Sequence, residues 1–225
     1  MTLDERSDEV DESLIDDPTG LTYTHIDVSH ADRLQALEYL CFPTIAKDDL
    51  YNAYELTRLA EQFPLGNFVV LDGDKAVGMG LGVRVHFDFE HTQHALSDLI
   101  GGDETGDDPT GRWYYGTDIS VDPTYRRRGI GQHLYALRKQ AVHDLGLDGI
   151  VAGGVIPGFA EHKHEMTAEE YVRKVAAGEL YDATLSFQIE NGFEAPGVIA
   201  DYVHDPAVDN WASLIVWRNP DLAGE

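Results

Sequence analysis

Apolar positions along this chain follow two rhythms, one of two residues and one of three to four. Leu21 to Ile26 alternates and predicts a strand, and Ser29 stands where a helix running to about Leu40 would be capped. From Asp48 to about Phe63 the apolar set is Leu50, Tyr54, Leu56, Leu59, Ala60 and Phe63, most of it at helical steps, and Pro64 ends the run. Asn67 to Leu71 predicts a strand. Asp72-Gly73-Asp74-Lys75 reads as a hairpin turn, and Ala76 to Phe87 as the longer returning strand. Trp113 to Val121 predicts a further strand. Gly129 to Leu145 predicts a helix with Ile130, Leu134, Leu137, Ala141 and Leu145 on one face. Gly149 to Val155 predicts a short buried strand, and Thr167 to Ala177 a helix capped by Thr167 with Glu170 three residues on. Asp182 to Glu190 is a short helix, and Val198 to Val203 and Ala212 to Trp217 are two closing strands. The order β-α-α-β-β-β-α-β-α-α-β-β predicts a mixed α/β fold with much antiparallel pairing, not a doubly wound alternation.

Two stretches break these rhythms. Residues 1–20 hold eight acids against one base and predict a solvated tail ahead of a single domain over 21–220. Gly101 to Gly111, with Asp103, Glu104, Asp107, Asp108 and Pro109, predicts an exposed loop. It falls within one of two insertions expected at about 88–111 and 157–181.

Charge narrows the function classes. The 225 residues carry 41 acids and 16 bases, a net of -25. That surface repels nucleic acid and anionic membranes, so neither is expected as a partner. Only 5 of the bases are Lys, which favours adaptation to high salt over a merely acidic protein. The single Cys41 excludes a disulfide framework and a cysteine-built zinc site. His162-Lys163-His164-Glu165 lacks a third placed ligand and reads as a solvated loop, so no metal is expected. No run approaches a membrane span, and the acidic start is no targeting segment, so a cytoplasmic protein is expected.

Candidate chemistry sits between Asp118 and Leu134. Strand 113–121 ends at Asp122-Pro123, and a turn with Arg126, Arg127 and Arg128 opens the helix beginning at Gly129-Ile130-Gly131. The first N–H groups of a helix lack intrahelical partners and lie at the positive end of its dipole. Glycines let a phosphate approach the backbone closely. A diphosphate is the natural occupant. The dinucleotide fingerprint fails, because Leu134 stands where its third glycine belongs, and no Lys-Ser or Lys-Thr pair supplies a P-loop.

Val121, Pro123, Arg126, Arg127, Gly129, Ile130, Gly131 and Leu134 together resemble motif A of the GNAT superfamily of N-acetyltransferases. Asn191-Gly192-Phe193 resembles that family's N-G-F segment, and the likeness spans roughly 21–220. It implies an acyl-CoA N-acyltransferase fold: a mixed, mostly antiparallel sheet with splayed strands, flanked by helices. It implies acetyl-CoA as co-substrate between strands 113–121 and 149–155. Ile119, Ser120 and Val121 would line the pantetheine arm, and Arg126, Arg127, Arg128, Gly129, Ile130, Gly131 and Gln132 would hold the pyrophosphate. An amine, on a small molecule or a protein, would attack the thioester directly, and the family admits a homodimer. Tyr115, Thr117 and Asp118 are the local candidates for the base, with Asp118 and Tyr115 assigned as catalytic. Where the family often has a tyrosine acid, this chain has Gln188 after Phe187; Tyr181 and Tyr202 are the nearby substitutes. The segment 157–181 is expected to wall the acceptor pocket. The runs 157–162 and 181–193 resemble acetyltransferase domains sometimes joined to carbon–nitrogen hydrolase domains, with no such second domain expected in these residues. The missing tyrosine keeps a catalytically silent acyl-CoA-binding module as the rival reading.

Overall fold

The computed structural model describes residues 13–99 and 106–222. Most of the acidic tail and the first half of the 101–111 loop lie outside the described residues.

The chain runs β1 (Thr22–His25), α1 (Ala31–Cys41), α2 (Ala53–Gln62), β2 (Phe68–Asp72), β3 (Lys75–Val85), β4 (Trp113–Val121), α3 (Ile130–Asp144), β5 (Gly149–Val155), α4 (Ala168–Ala176), α5 (Leu185–Glu190), β6 (Glu194–Ile199) and β7 (Ala212–Arg218). This is the order that the apolar rhythm predicts. The strands form one seven-stranded sheet in the order β1-β2-β3-β4-β5-β7-β6. Every neighbouring pair is antiparallel except β4 and β5.

Element starts differ from the sequence reading where a capping side chain decides them. Asp27, not Ser29, caps the turn at Val28–His30. Its carboxylate accepts from the Ser29 N–H at 2.6 Å, while the Asp27 N–H donates to His30 Nδ1. The second helix starts at Ala53 because the Asn52 side chain accepts from the Tyr54 and Glu55 N–H groups; Lys47–Asp49 is a separate turn. The Asp182 carboxylate caps the Thr184 and Leu185 N–H groups, so α5 is shorter than expected. Strand β6 lies earlier than predicted, at Glu194–Ile199. Pro196 sits where its register with β7 shifts, as a proline on a sheet edge must, and this hides the alternation.

Each face of the sheet buries a core. On one, α1 and α2 pack Leu34, Leu37, Leu56 and Leu59 against Met79, Leu81, Val83, Tyr115 and Val151. On the other, α3, α4 and α5 cover Tyr114, Ile150, Ala152 and Ile215, with a smaller cluster around Leu134 and Val70. The segment 157–181 belongs to this second face, through Phe159, Tyr171, Val172 and Val175.

Candidate acyl-CoA and acceptor site

Strands β4 and β5 pair only at Trp113 with Gly149, Tyr114 with Ile150 and Tyr115 with Val151. Beyond these pairs they part. From Gly116 onward β4 pairs with β3 alone, and from Ala152 onward β5 pairs with β7 alone. The parting opens toward the N-terminus of α3.

That terminus is built as the sequence implies. Asp122 closes the end of β4. Its carboxylate accepts from Thr124 and from Lys75 Nζ at 2.7 Å, and these bonds hold its pKa down at about 2. Arg127 and Gly129 take left-handed conformations, at φ 62° and 84°. No side chain caps α3, so its first-turn N–H groups are left to solvent or a ligand. Arg126, Arg127 and Arg128 stand exposed around them. At Gly131 a Cβ would come within 2.9 Å of the Phe187 ring, so this glycine also seats α5 against α3.

Strand β4 carries a bulge. Leu81 opposes Asp118 and Gly82 opposes Gly116, leaving Thr117 as the extra residue. The bulge turns Asp118 and Ser120 onto the α1 face, where plain alternation would have turned them to α3. Ile119 and Val121 pack toward α3. Thr117 Oγ1 accepts from the Tyr51 hydroxyl at 2.9 Å.

Asp118 is 7 % exposed and meets Glu38 of α1, 3 % exposed. Burial pushes Asp118 up to about 7, although Ser120 and Arg138 favour its charge. Burial, then Asp118 itself, pushes Glu38 well above the usual carboxylate range, and Glu55 adds to this. The two carboxyls therefore titrate as a pair, with burial resisting the first charge and Asp118 and Glu38 resisting a second beside it. Burial, then Asp118, also pushes the Cys41 thiol up to about 11, which leaves it a poor nucleophile.

Beside the parting lies a second polar group. Tyr115 Oη lies 2.7 Å from His94 Nε2 and 3.3 Å from Tyr202 Oη, and it accepts from the Gly153 N–H at 3.1 Å. His94 Nδ1 lies 2.8 Å from the Thr92 carbonyl, an acceptor, so Nδ1 carries the proton and Nε2 accepts from Tyr115. Burial lowers the His94 pKa and, with Tyr202 adding to it, raises that of Tyr115 well above the usual phenol range. Gly153 and Gly154 let β5 accept neighbours on both faces. A Cβ would fall 2.3 Å from the Tyr202 ring at the first and 2.6 Å from the Gln188 amide at the second.

Of the substitutes for the missing tyrosine, Tyr181 is 75 % exposed and reaches nothing here, whereas Tyr202 is buried in the loop after β6. Gln188 is buried on the α3 face, away from Tyr202. The α1 side of the parting is walled by three segments. They are 42–52, the stretch around Gln93 and Leu96, and 200–205, tied by Ala46 N–H to the His204 carbonyl and Leu96 N–H to the Tyr202 carbonyl. The expected wall at 157–181 lies on the opposite face. Sequence reasoning missed Glu38, His94 and Arg138. The glycines facing Arg138 were a signal for the last, since a Cβ at Gly80 or Gly116 would lie 3.2 Å from its guanidinium.

The model of the acetyltransferase (GNAT) family matches residues 31–159, and the chain belongs to that family. An uncharacterized N-acetyltransferase of Bacillus subtilis, YkwB, is 30% identical over 88% of this chain and 87% of its own length. A probable hydrolase of the same organism, YhcX, is 33% identical over 88% of this chain; the chain spans 38% of that relative's length. Among solved structures, the loading GNATL domain of CurA from Lyngbya majuscula superposes with a TM-score of 0.74 at 18% identity, covering 88% of this chain and 98% of that one. The GphF GNAT-like decarboxylase in complex with isobutyryl-CoA does so at 0.69 and 21% identity, with the same coverage. These two likenesses show the fold. Among the described residues no helix is long and apolar enough to cross a membrane, and no group of three or more His, Cys, Asp or Glu is placed to hold a metal ion.

Proposed function

We propose that the protein transfers the acetyl group of acetyl-CoA to a primary amine by direct attack. The observation that carries this reading is the parting of β4 from β5 beside an uncapped helix N-terminus, with an ionisable Asp118 buried on the adjoining wall. Ile119, Ser120 and Val121 supply the free edge of β4 to the pantetheine arm. The turn from Arg126 through Gln132 supplies N–H groups and positive charge to the pyrophosphate. The amine nitrogen attacks the thioester carbonyl, the N–C bond forms and the C–S bond breaks. Asp118 takes the proton the nitrogen sheds. Tyr115 turns its one proton from His94 Nε2 to the departing sulfur. Its raised pKa keeps the phenol protonated, so the proton that completes the thiol comes from water.

The protonated Cys41 thiol argues against an acyl-enzyme intermediate. The carboxylate pair bears on a rival suggested by the GNAT-like decarboxylase, whose substrate carries a carboxylate to lose. Once the pair ionises, its negative charge repels such a substrate and attracts a cationic amine. A silent acyl-CoA-binding module would have no use for a buried ionisable pair.

Gly129→Glu tests the cofactor assignment. It puts a carboxylate at a φ of 84° beside the pyrophosphate position. Calorimetry is expected to show acetyl-CoA binding weakened at least about tenfold, roughly 1.4 kcal/mol. Unchanged affinity in the folded variant would refute the assignment, and an absence of CoA release across a panel of amines would favour the silent binder.

The charge of -25 is read as adaptation to high salt. Self-repulsion opposes compaction at low ionic strength and is screened as the Debye length falls from about 10 Å at 0.1 M to about 3 Å at 1 M. Urea melts in potassium chloride are expected to shift to higher midpoints with salt. A flat or falling midpoint would count against the reading.

A further inference from the structure

The α3 face of the sheet holds a buried cation beneath the β4 bulge. Arg138 of α3 is 2 % exposed. Its Nη2 donates to the Leu81 carbonyl at 2.6 Å, and Leu81 is the residue after which the β3–β4 register shifts. That carbonyl is a neutral acceptor. Nε has no partner, and the guanidinium enters no ion pair, among the described residues. A buried charge left without a partner is costly, and this chain has 41 acids from which to give it one.

Two glycines bring the guanidinium against the strands. A Cβ at Gly80 would lie 3.2 Å from Nε and one at Gly116 3.2 Å from Nη1, so no side chain separates the cation from β3 or β4 there. The rings of Tyr114 and Tyr135 flank it, with centroids 5.6 and 6.0 Å from Cζ. Through the sheet, on the α1 face, Asp118 stands opposite Leu81. Against the burial that raises the pKa of Asp118, Ser120 and then Arg138 favour the charged form. The other titratable groups facing Asp118 are acids: Glu38 and Cys41 on α1, Glu55 on α2, Tyr51 ahead of it, and Tyr114, Tyr135 and Tyr202. The cation Arg126 is exposed in the turn before α3.

We propose that Arg138 is a positioning residue of the site: held under the bulge by the Leu81 carbonyl, it acts through the sheet as the counter-charge with which Asp118 ionises. The kinetic consequence rests on the N-acyl transfer proposed above; the electrostatic one does not. A guanidinium bonded directly to Asp118 would occupy its oxygens and hold the carboxyl far below neutrality. From the opposite face it offsets part of the cost of burial and leaves Asp118 Oδ1 without a partner, open to a proton.

Carbon-13 NMR of the Asp118 carboxyl carbon, titrated with pH in the full chain, reads this without any substrate. Arg138→Met keeps the bulk and removes the charge, and is expected to raise the midpoint by at least about one pH unit. Arg138→Lys keeps the charge and one donor, and is expected to stay within about half a unit of the parent even where it melts lower. In a merely structural role both variants lose stability and neither moves the midpoint, and that result overturns the proposal. If Arg138→Met does not fold, the unmodified protein decides. Its Arg138 Nε resonance in nitrogen-15 NMR is expected to shift with pH at the midpoint of the Asp118 carbon, and an Nε resonance that ignores that midpoint overturns the proposal. Rates separate this proposal from the one it builds on. With Asp118 as the base, the acid limb of the amine rate in Arg138→Met moves up with the carboxyl midpoint. A midpoint that moves while the limb stays in place supports the counter-charge and counts against Asp118 as the base.

Discussion

Asp118→Asn is expected to lower kcat/KM for the amine by about 10²- to 10⁴-fold, the range lost when a positioned base is removed, while acetyl-CoA affinity is retained. The base works only when ionised. With its pKa at about 7, the rate of the unmodified enzyme should rise through neutral pH and level off above about pH 8. The variant should lose that acid limb, and steady-state profiles of both proteins from pH 5.5 to 9 check it. A second consequence has the opposite sign. The folded-state pKa lies above the ordinary value of 3.8, so the buried charge costs stability at and above pH 7, and the cost fades as pH falls toward 4. Each pH unit of displacement corresponds to about 1.4 kcal/mol. Asp118→Asn is therefore expected to melt higher than the parent at pH 8, with the gap closing near pH 4. A variant that is inactive and also less stable at pH 8 would point to a structural loss in place of a missing base.

Tyr115→Phe is expected to lower kcat by about 10²-fold, the loss typical when one donor to developing charge is removed, with the KM for acetyl-CoA little changed. The hydroxyl also bridges the parting, so its removal strands the Gly153 N–H and takes a partner from His94. A stability loss of about 1–3 kcal/mol should accompany the kinetic one. Tyr202→Phe removes one bond at the edge of the same group and should cost less on both counts. Neither variant is expected to remove an alkaline limb from the pH–rate profile, because water supplies the final proton. A clear alkaline limb in the parent that vanishes in Tyr115→Phe would show that Tyr115 gives up its proton outright.

The order of elements was legible because each strand and helix has its own rhythm and its own stop, such as Pro64 after α2 or Asp122-Pro123 after β4. The turn before α3 was legible because its chemistry is local: arginines, glycines and a helix start lie within seven residues. Glu38 was not. On α1 it is a polar residue on the buried face of Leu34 and Leu37, and its partner stays hidden because a single extra residue, Thr117, rotates Asp118 onto that face. A bulge leaves no mark in residue periodicity until its partner strand is known. His94 sits in a stretch with no period at all, and its role depends on a tyrosine 21 residues later and another in the loop after β6. The expectation that 157–181 walls the acceptor pocket rested on the segment's length alone. Length marked that segment as extra, but only the tertiary packing of Phe159 and Tyr171 shows which face it covers.

The parting of β4 and β5 leaves the sheet as a four-stranded and a three-stranded half, joined through three residue pairs. Each half ends in an inner edge whose backbone groups lack a neighbouring strand, in the middle of the molecule where most sheets have none. Such edges are templates for stray strand pairing, and shortening or charging this one would alter the groove proposed above for the cofactor arm. On the function proposed above, a bound pantetheine chain would complete the row, which makes the unliganded protein the form open to stray pairing. The high net negative charge then has a second use, since it keeps copies apart while the groove stands empty.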